Sequence, residues 1–201
     1  MDGQLTWFFS LIGFAVATSV TPGPNNLMLM ASGANFGFRR TLPHLFGVAF
    51  GFMAMLLALG IGLGAAFEAV PELLAVLRWL GLAYLLYLAW RIASASGSLD
   101  RRGGGRPMTF PEAALFQWLN PKAWAMILAL LGAYSLEGMA PEAQLAAMVG
   151  VFLVFGMPCN WLWAGFGVAI GRLLQRPSYR RAFNVAMALL LIATMVPLLL
   201  L

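Results

Sequence analysis

Charge is what this sequence has least of. Only 9% of its 201 residues are Asp, Glu, Lys or Arg, while 62% are hydrophobic; an average soluble domain carries roughly 25% charged residues. A chain this apolar cannot solvate a globular surface, so a soluble domain is excluded and an integral membrane protein is indicated. Carboxylates are scarce: seven in all, none between Asp2 and Glu68, and none deep inside an apolar run. There is one histidine (His44), one cysteine (Cys159) and one lysine (Lys122). A lone cysteine rules out an internal disulfide, and within an apolar run it reads as a small packing residue. One His, one Cys and no buried acid supply neither a nucleophile–base pair nor the oxygen anions that a hard cation needs. No catalytic residue, metal site or cofactor is therefore expected, and a membrane-embedded enzyme or a metal-ion exporter reads poorly. Met1-Asp2-Gly3 also lacks the basic start of a cleaved signal peptide, so the first apolar run is expected to be retained.

What the sequence has is long apolar runs. Six emerge, over residues 5–36, 43–66, 73–92, 112–135, 144–170 and 180–201. Each exceeds strand length and none alternates as a barrel strand would, so all six read as transmembrane helices. The loops between them alternate in charge. Arg39 and Arg40 follow the first run, Glu68 and Glu72 the second, and Arg91, Arg101, Arg102 and Arg106 the third. Glu137 and Glu142 follow the fourth, and Arg172, Arg176, Arg180 and Arg181 the fifth. Lys and Arg accumulate in cytoplasmic loops, so both termini are expected outside the cytoplasm. The net charge of +5 is explained by these loops, and nucleic acid is not expected as a partner.

Residues 94–111 begin with the one long polar stretch, Ser94 to Pro107, whose Gly, Ser and Arg content suits a solvated cytoplasmic linker. Its arginines are expected to hold the loop at the cytoplasmic face and to touch anionic lipid. The linker divides one transporter domain, 1–201, into halves of three spans, 1–93 and 112–201. The halves look related: Pro22 and Pro121, Gly33 and Gly132, Ala34 and Ala133, and Gly51 and Gly150 all recur at an offset of 99 residues. An odd number of spans per half inserts the second half upside down, and the reversed loop charge matches that. The fold expected is an all-α membrane protein with six spans in a 3+3 inverted repeat.

Two proline motifs break spans 1 and 4. Thr21-Pro22-Gly23-Pro24-Asn25-Asn26 interrupts the first. Its prolines remove two backbone donors, Gly23 frees the chain between them, and Asn25 and Asn26 stand where an N-cap belongs. Leu119-Asn120-Pro121-Lys122 interrupts the fourth, with Asn120 as N-cap and Pro121 in the first turn. In hydrocarbon such breaks survive only against protein or a water-filled cavity, and a broken helix at membrane depth points to a solute site; a kink used for packing is the competing reading. Lys122 near a helix N-terminus opposes the macrodipole and calls for an anion, a solute or a carbonyl cluster, unless it snorkels to the surface. Asn160, in Pro158-Cys159-Asn160-Trp161, either lines the cavity or bonds a neighbouring helix.

TPGPNN, GANFGFRR at the exit of the first span, AYLLYLAWRIA closing the third and FQWLNPKAW in the fourth resemble the LysE/RhtB family of amino-acid exporters, across essentially the whole chain. The TPGPNN and LAWRIA wording looks most like the cysteine/O-acetylserine exporter branch. Many members carry Asp where this chain has Asn25. The resemblance implies a multi-pass protein of the bacterial inner membrane that exports small neutral amino acids or derivatives (cysteine/O-acetylserine-like or threonine/homoserine-like), driven by the proton gradient. Its partners would be an amino-acid substrate, the lipid bilayer and protons. A zwitterion needs donors or positive charge for its carboxylate and acceptors for its ammonium, and opened helix ends offer both. The substrate-binding residues expected are Pro22, Gly23 and Pro24 shaping the cavity, Asn25, Asn26, Asn120 and Asn160 as polar contacts, and Pro121 with Lys122 supplying the second break and the charge. An exporter of another small solute or ion, or a passive channel, remains the alternative.

Other features are assigned plainer roles. His44 is expected to be a satisfied interfacial histidine, with proton coupling as its second reading. Arg78 is expected to reach toward the Glu68–Glu72 loop. Gly47/Gly51, Gly60/Gly64 and Gly167/Gly171 have small-xxx-small spacing, which seats helices within one bundle more often than it joins copies into a homo-oligomer. Trp7, Tyr84, Tyr87, Trp90 and Tyr179 suit interfacial belts.

Overall fold

With no water to satisfy backbone groups, apolar runs of this length have only the helix open to them. Helices are the regular structure throughout residues 2–64, 71–95 and 106–196, which this computed structural model describes. They are α1 (Asp2–Val20), α2 (Pro24–Phe36), α3 (Phe38–Ala58), α4 (Pro71–Ala93), α5 (Phe110–Leu119), α6 (Pro121–Ala133), α7 (Pro141–Val151), α8 (Met157–Leu173) and α9 (Pro177–Ala193). A π-helical turn from Leu59 extends α3 as far as a kink at Gly62, whose φ of 110° is not helical, and another over Phe152–Gly156 joins α7 to α8. Glu68, the linker's Arg101 and Arg102, and the end of the sixth run at 197–201 lie outside the described residues.

Four helical stretches are long and apolar enough to cross a membrane: Gly3–Val20, Phe38–Leu63, Ala75–Ala93 and Pro141–Leu173. That differs from six spans of equal standing. Asn120, in extended conformation, divides the fourth run into pieces of 10 and 13 residues, each short of a full crossing. The first run divides unevenly: α1 has 19 residues, or ~28 Å of helical rise, and by itself approaches the thickness of the hydrocarbon core. The described part of the sixth run is a 17-residue helix that holds Arg180 and Arg181.

Local signals set the helix starts. Thr109 and Glu112 form a capping box at α5: the Thr109 side chain accepts from the Glu112 amide, and the Glu112 carboxylate accepts from the Thr109 amide. Pro24, Pro111, Pro121, Pro141 and Pro177 all stand in first turns, where the missing amide hydrogen costs nothing.

Packing follows the glycines. α2 lies along α8, with Gly33 against Ala164, Gly167 against Met30 and Gly171 against Ala34. α3 seats on α5 through Gly47 at Phe110 and Gly51 at Ala114. The pairs Gly47/Gly51 and Gly167/Gly171 thus work inside the bundle. The glycines at offset 99 do not share surroundings: a Cβ on Gly33 would meet the Ala164 carbonyl, whereas Gly132 and Gly150 face open space. Two apolar clusters result. One gathers α2, α4, α5 and α9 around Leu85, Phe116 and Leu191; the other gathers α1, α3, α6 and α7 around Leu11, Met55, Leu56 and Ile127. Trp7 does not join an interfacial belt: it is buried in the second cluster, and its Nε1 donates to the Tyr134 carbonyl at 3.1 Å. Tyr84 is half-buried against Phe116, whereas Tyr87, Trp90 and Tyr179 are exposed.

Candidate solute site at the helix interruptions

α1 stops at Val20 because Pro22 and Pro24 cannot donate to the preceding turn. The sequence suggests Asn25 and Asn26 as caps of the next helix, and here the structure corrects it. Pro24 takes the first helical position, so the N-cap falls on Gly23, which has no side chain to cap with. Asn26 turns backward instead, its Nδ2 donating to the carbonyls of Ser19 (2.8 Å) and Thr21 (2.9 Å). It thereby satisfies oxygens left open at the end of α1, the requirement every helix C-terminus faces. Asn25 exchanges hydrogen bonds with Gln117: its Nδ2 donates to Oε1 at 2.8 Å, and Gln117 Nε2 donates to Asn25 Oδ1 at 3.3 Å. Gln117 also donates to the Ala113 carbonyl and is fully buried.

At the second interruption Asn120 does cap α6, its Oδ1 accepting from the Lys122 amide at 3.1 Å. Lys122 crosses to the first interruption, where its Nζ donates to the Thr21 carbonyl. The ammonium that opposes the dipole of its own helix therefore meets the negative end of α1. Gly23 earns its place by this close approach and not by its backbone angles, which are extended: a Cβ there would lie 2.5 Å from Lys122 Cδ.

A cavity of about 520 Å³ of empty space, counted out to its mouth, opens between these ends. Its polar lining is Thr18, Ser19, Asn25, Asn26, Asn120, Lys122 and Asn160; its apolar lining includes Phe52, Met126 and Phe152. Of the nine residues singled out from sequence, Gly23, Asn25, Asn26, Asn120, Lys122 and Asn160 come together here. Three do not. Pro22 is exposed, Pro24 is buried but absent from the lining, and Pro121 borders a different cavity beside Arg78, Trp118 and Trp124. Gln117, Thr18 and Ser19 were missed. An amide within the apolar run FQWLNPKAW was the available signal for Gln117; for the two hydroxyls, common in membrane helices, there was none. The π-helical turn that brings Phe152 and Gly156 to the wall has no sequence signature either.

One further expectation changes. His44 is not a satisfied interfacial histidine: it is 1% exposed, and neither ring nitrogen has a hydrogen-bond partner among the described residues. Such a group costs roughly 1–3 kcal/mol when nothing compensates it. Cys159 is buried as a packing residue and donates to the Phe155 carbonyl at 3.2 Å. On the linker side Arg106 forms a two-pronged ion pair with Glu112, and this hydrogen-bonded carboxylate pushes the Arg106 guanidinium up from its usual value.

Spanning-length helices, with interior amides and one ammonium gathered where two helices are interrupted, define a helical integral-membrane protein with a cavity lined by polar and apolar side chains at the interruptions. More specifically, the chain belongs to the LysE type translocator family, whose profile matches residues 16–200. That makes it a transporter and not an enzyme. It is similar to the cysteine/O-acetylserine efflux protein of Escherichia coli O139:H28 (strain E24377A / ETEC), 34% identical over 191 residues, which covers 92% of this chain and 91% of the relative. Proteins of that name from Escherichia coli K12 and Salmonella typhimurium LT2 are each 33% identical, with 92% of this chain and 91% of the relative covered. No solved structure matches the chain.

Proposed function

We propose that this protein exports a small neutral amino acid or derivative, of the cysteine/O-acetylserine kind, across the bacterial inner membrane, with the proton gradient as driving force. The observation that carries the proposal is the Lys122 ammonium reaching the Thr21 carbonyl across two helix interruptions, beside a cavity lined by four asparagines. An arriving carboxylate can take over the ammonium, while the carbonyls at the end of α1 accept from the substrate's own ammonium. We read α1 with α2, and α5 with α6, as two broken spans of a six-span, 3+3 inverted repeat whose termini lie outside. In support, α1 ends at Val20 and α5 at Leu119, 99 residues apart, and each break is followed by a 13-residue helix that starts with proline. Transport then follows from rocking of the two halves about the cavity. The similarity to cysteine/O-acetylserine efflux proteins supports the substrate class.

The test is flux from proteoliposomes loaded with radiolabelled cysteine or O-acetyl-L-serine. Saturable efflux that steepens under an imposed pH gradient is expected, with Lys122→Met lowering it about tenfold or more, the scale of a lost charged contact. Undiminished flux in the variant removes Lys122 from the mechanism. Non-saturable flux indifferent to pH makes the protein a channel, and transport of neither solute moves the substrate class elsewhere.

A further inference from the structure

A second cavity, also of about 520 Å³, lies further along α2 and α3, toward the end of the bundle where the arginine-bearing helix termini meet. Asn25 and Asn26 face the first cavity, and Met28, Ala31, Ser32 and Asn35 face the second; on α3, Val48 and Ala49 belong to the first and His44 to the second. The two hollows thus succeed one another along one helix pair. Most polar groups of the second are already engaged. Ser32 Oγ lies 3.0 Å from Thr41 Oγ1, Asn35 exchanges hydrogen bonds with Asn184, and Arg106 is held by Glu112. Two groups are not. Among the described residues, His44 is buried with both nitrogens unpartnered, and Arg91, which lies over the Tyr87 ring, commits one hydrogen bond, 3.1 Å to the Arg106 carbonyl, of the five donors a guanidinium has. The lining around them is otherwise mainly apolar. A guanidinium with donors to spare and an unsatisfied imidazole, both lining one hollow, are two groups that a small carboxylate can bridge.

We propose that this cavity is a second binding site, where Arg91 and His44 hold the carboxylate of a small solute one step before the central cavity. The inference rests on the export reading for the direction of travel, and not for the binding itself. His44 is the sole histidine, so its ring reports on the site without ambiguity. The measurement is the ¹⁵N imidazole spectrum of the tag-free full-length protein in zwitterionic nanodiscs, titrated with sodium acetate at constant pH. Acetate is expected to move the signals saturably and acetamide is not. Arg91→Gln should weaken the acetate response about tenfold, Arg91→Lys should restore part of it, and Lys122→Met should leave it unchanged. Signals unmoved by acetate, moved equally by chloride, or moved equally in Arg91→Gln overturn the site. So does a shift that needs phosphatidylglycerol in the nanodisc and ignores acetate, which would assign the cavity to lipid headgroups. Failure of cysteine and O-acetyl-L-serine flux, by contrast, overturns the substrate class of the export reading and leaves this titration standing.

Discussion

Asn26 holds the first interruption together, because it returns two hydrogen bonds to a helix that has just lost its donors. Its amide reaches Ser19 and Thr21, and the Thr21 carbonyl is shared with Lys122. Asn26→Leu is nearly matched in size but leaves the Ser19 oxygen without this donor and Thr21 with one fewer, at a cost of about 1–3 kcal/mol. A lower unfolding midpoint in detergent is expected, and Asn26→Asp, which turns the donor into an acceptor facing two carbonyls, should lower it further. An unchanged midpoint in both variants would mean that the interruption holds without this side chain. At this scale the sequence was readable in part. TPGPNN and NPKA named most of the polar side chains of the cavity wall, since proline and asparagine carry their meaning locally. The direction in which Asn26 turns, the Asn25–Gln117 exchange across 92 positions and the unpartnered state of His44 depend on atoms brought from other helices.

Among the elements, α2 and α8 approach backbone to backbone, and only glycine permits it. A Cβ on Gly167 would lie 2.0 Å from the Met30 carbonyl oxygen, and one on Gly33 would lie 2.2 Å from that of Ala164. Neither neighbour is a side-chain tip that can swing aside. Gly33→Ala should therefore destabilise the fold by about 1–3 kcal/mol, the usual cost of overpacking. Gly132→Ala, at the matching place in the second half, meets nothing within 4 Å and should be neutral or slightly stabilising, because alanine is the better helix former. Thermal unfolding of the two variants side by side decides the matter; equal losses would mean that the two positions are packed alike after all. Helix starts fall within five residues of the starts of the apolar runs, because hydrocarbon leaves the backbone so little choice. Which helix lies on which was not in the pattern, since a small-xxx-small pair names one face and never its partner.

For the whole molecule, the arginine-rich ends converge: Asn184 near the start of α9 reaches Asn35 at the end of α2 and the Ala95 carbonyl just past α4. The opposite end gathers Trp7, Tyr134 and the Gln144 side chain, which closes the turn at Leu136 and Met139. If the arginine end is cytoplasmic, a cysteine at Glu137 in a Cys159→Ala background will react with a membrane-impermeant maleimide in intact cells. One at Ser178 will react only after the membrane is opened; the reverse pattern would invert the topology. Composition and loop charge by themselves determined that the chain lives in a bilayer, that it is helical, and which residue types could meet a zwitterion, because desolvation penalties act on each residue wherever it ends up. Only the tertiary structure decided that Lys122 answers Thr21, that six chosen residues share one hollow while three prolines stay out of it, and that His44 lines a second hollow, buried and without a partner among the described residues. Those outcomes depend on distances between helices remote in the chain, and such distances are set by packing and not by any local pattern.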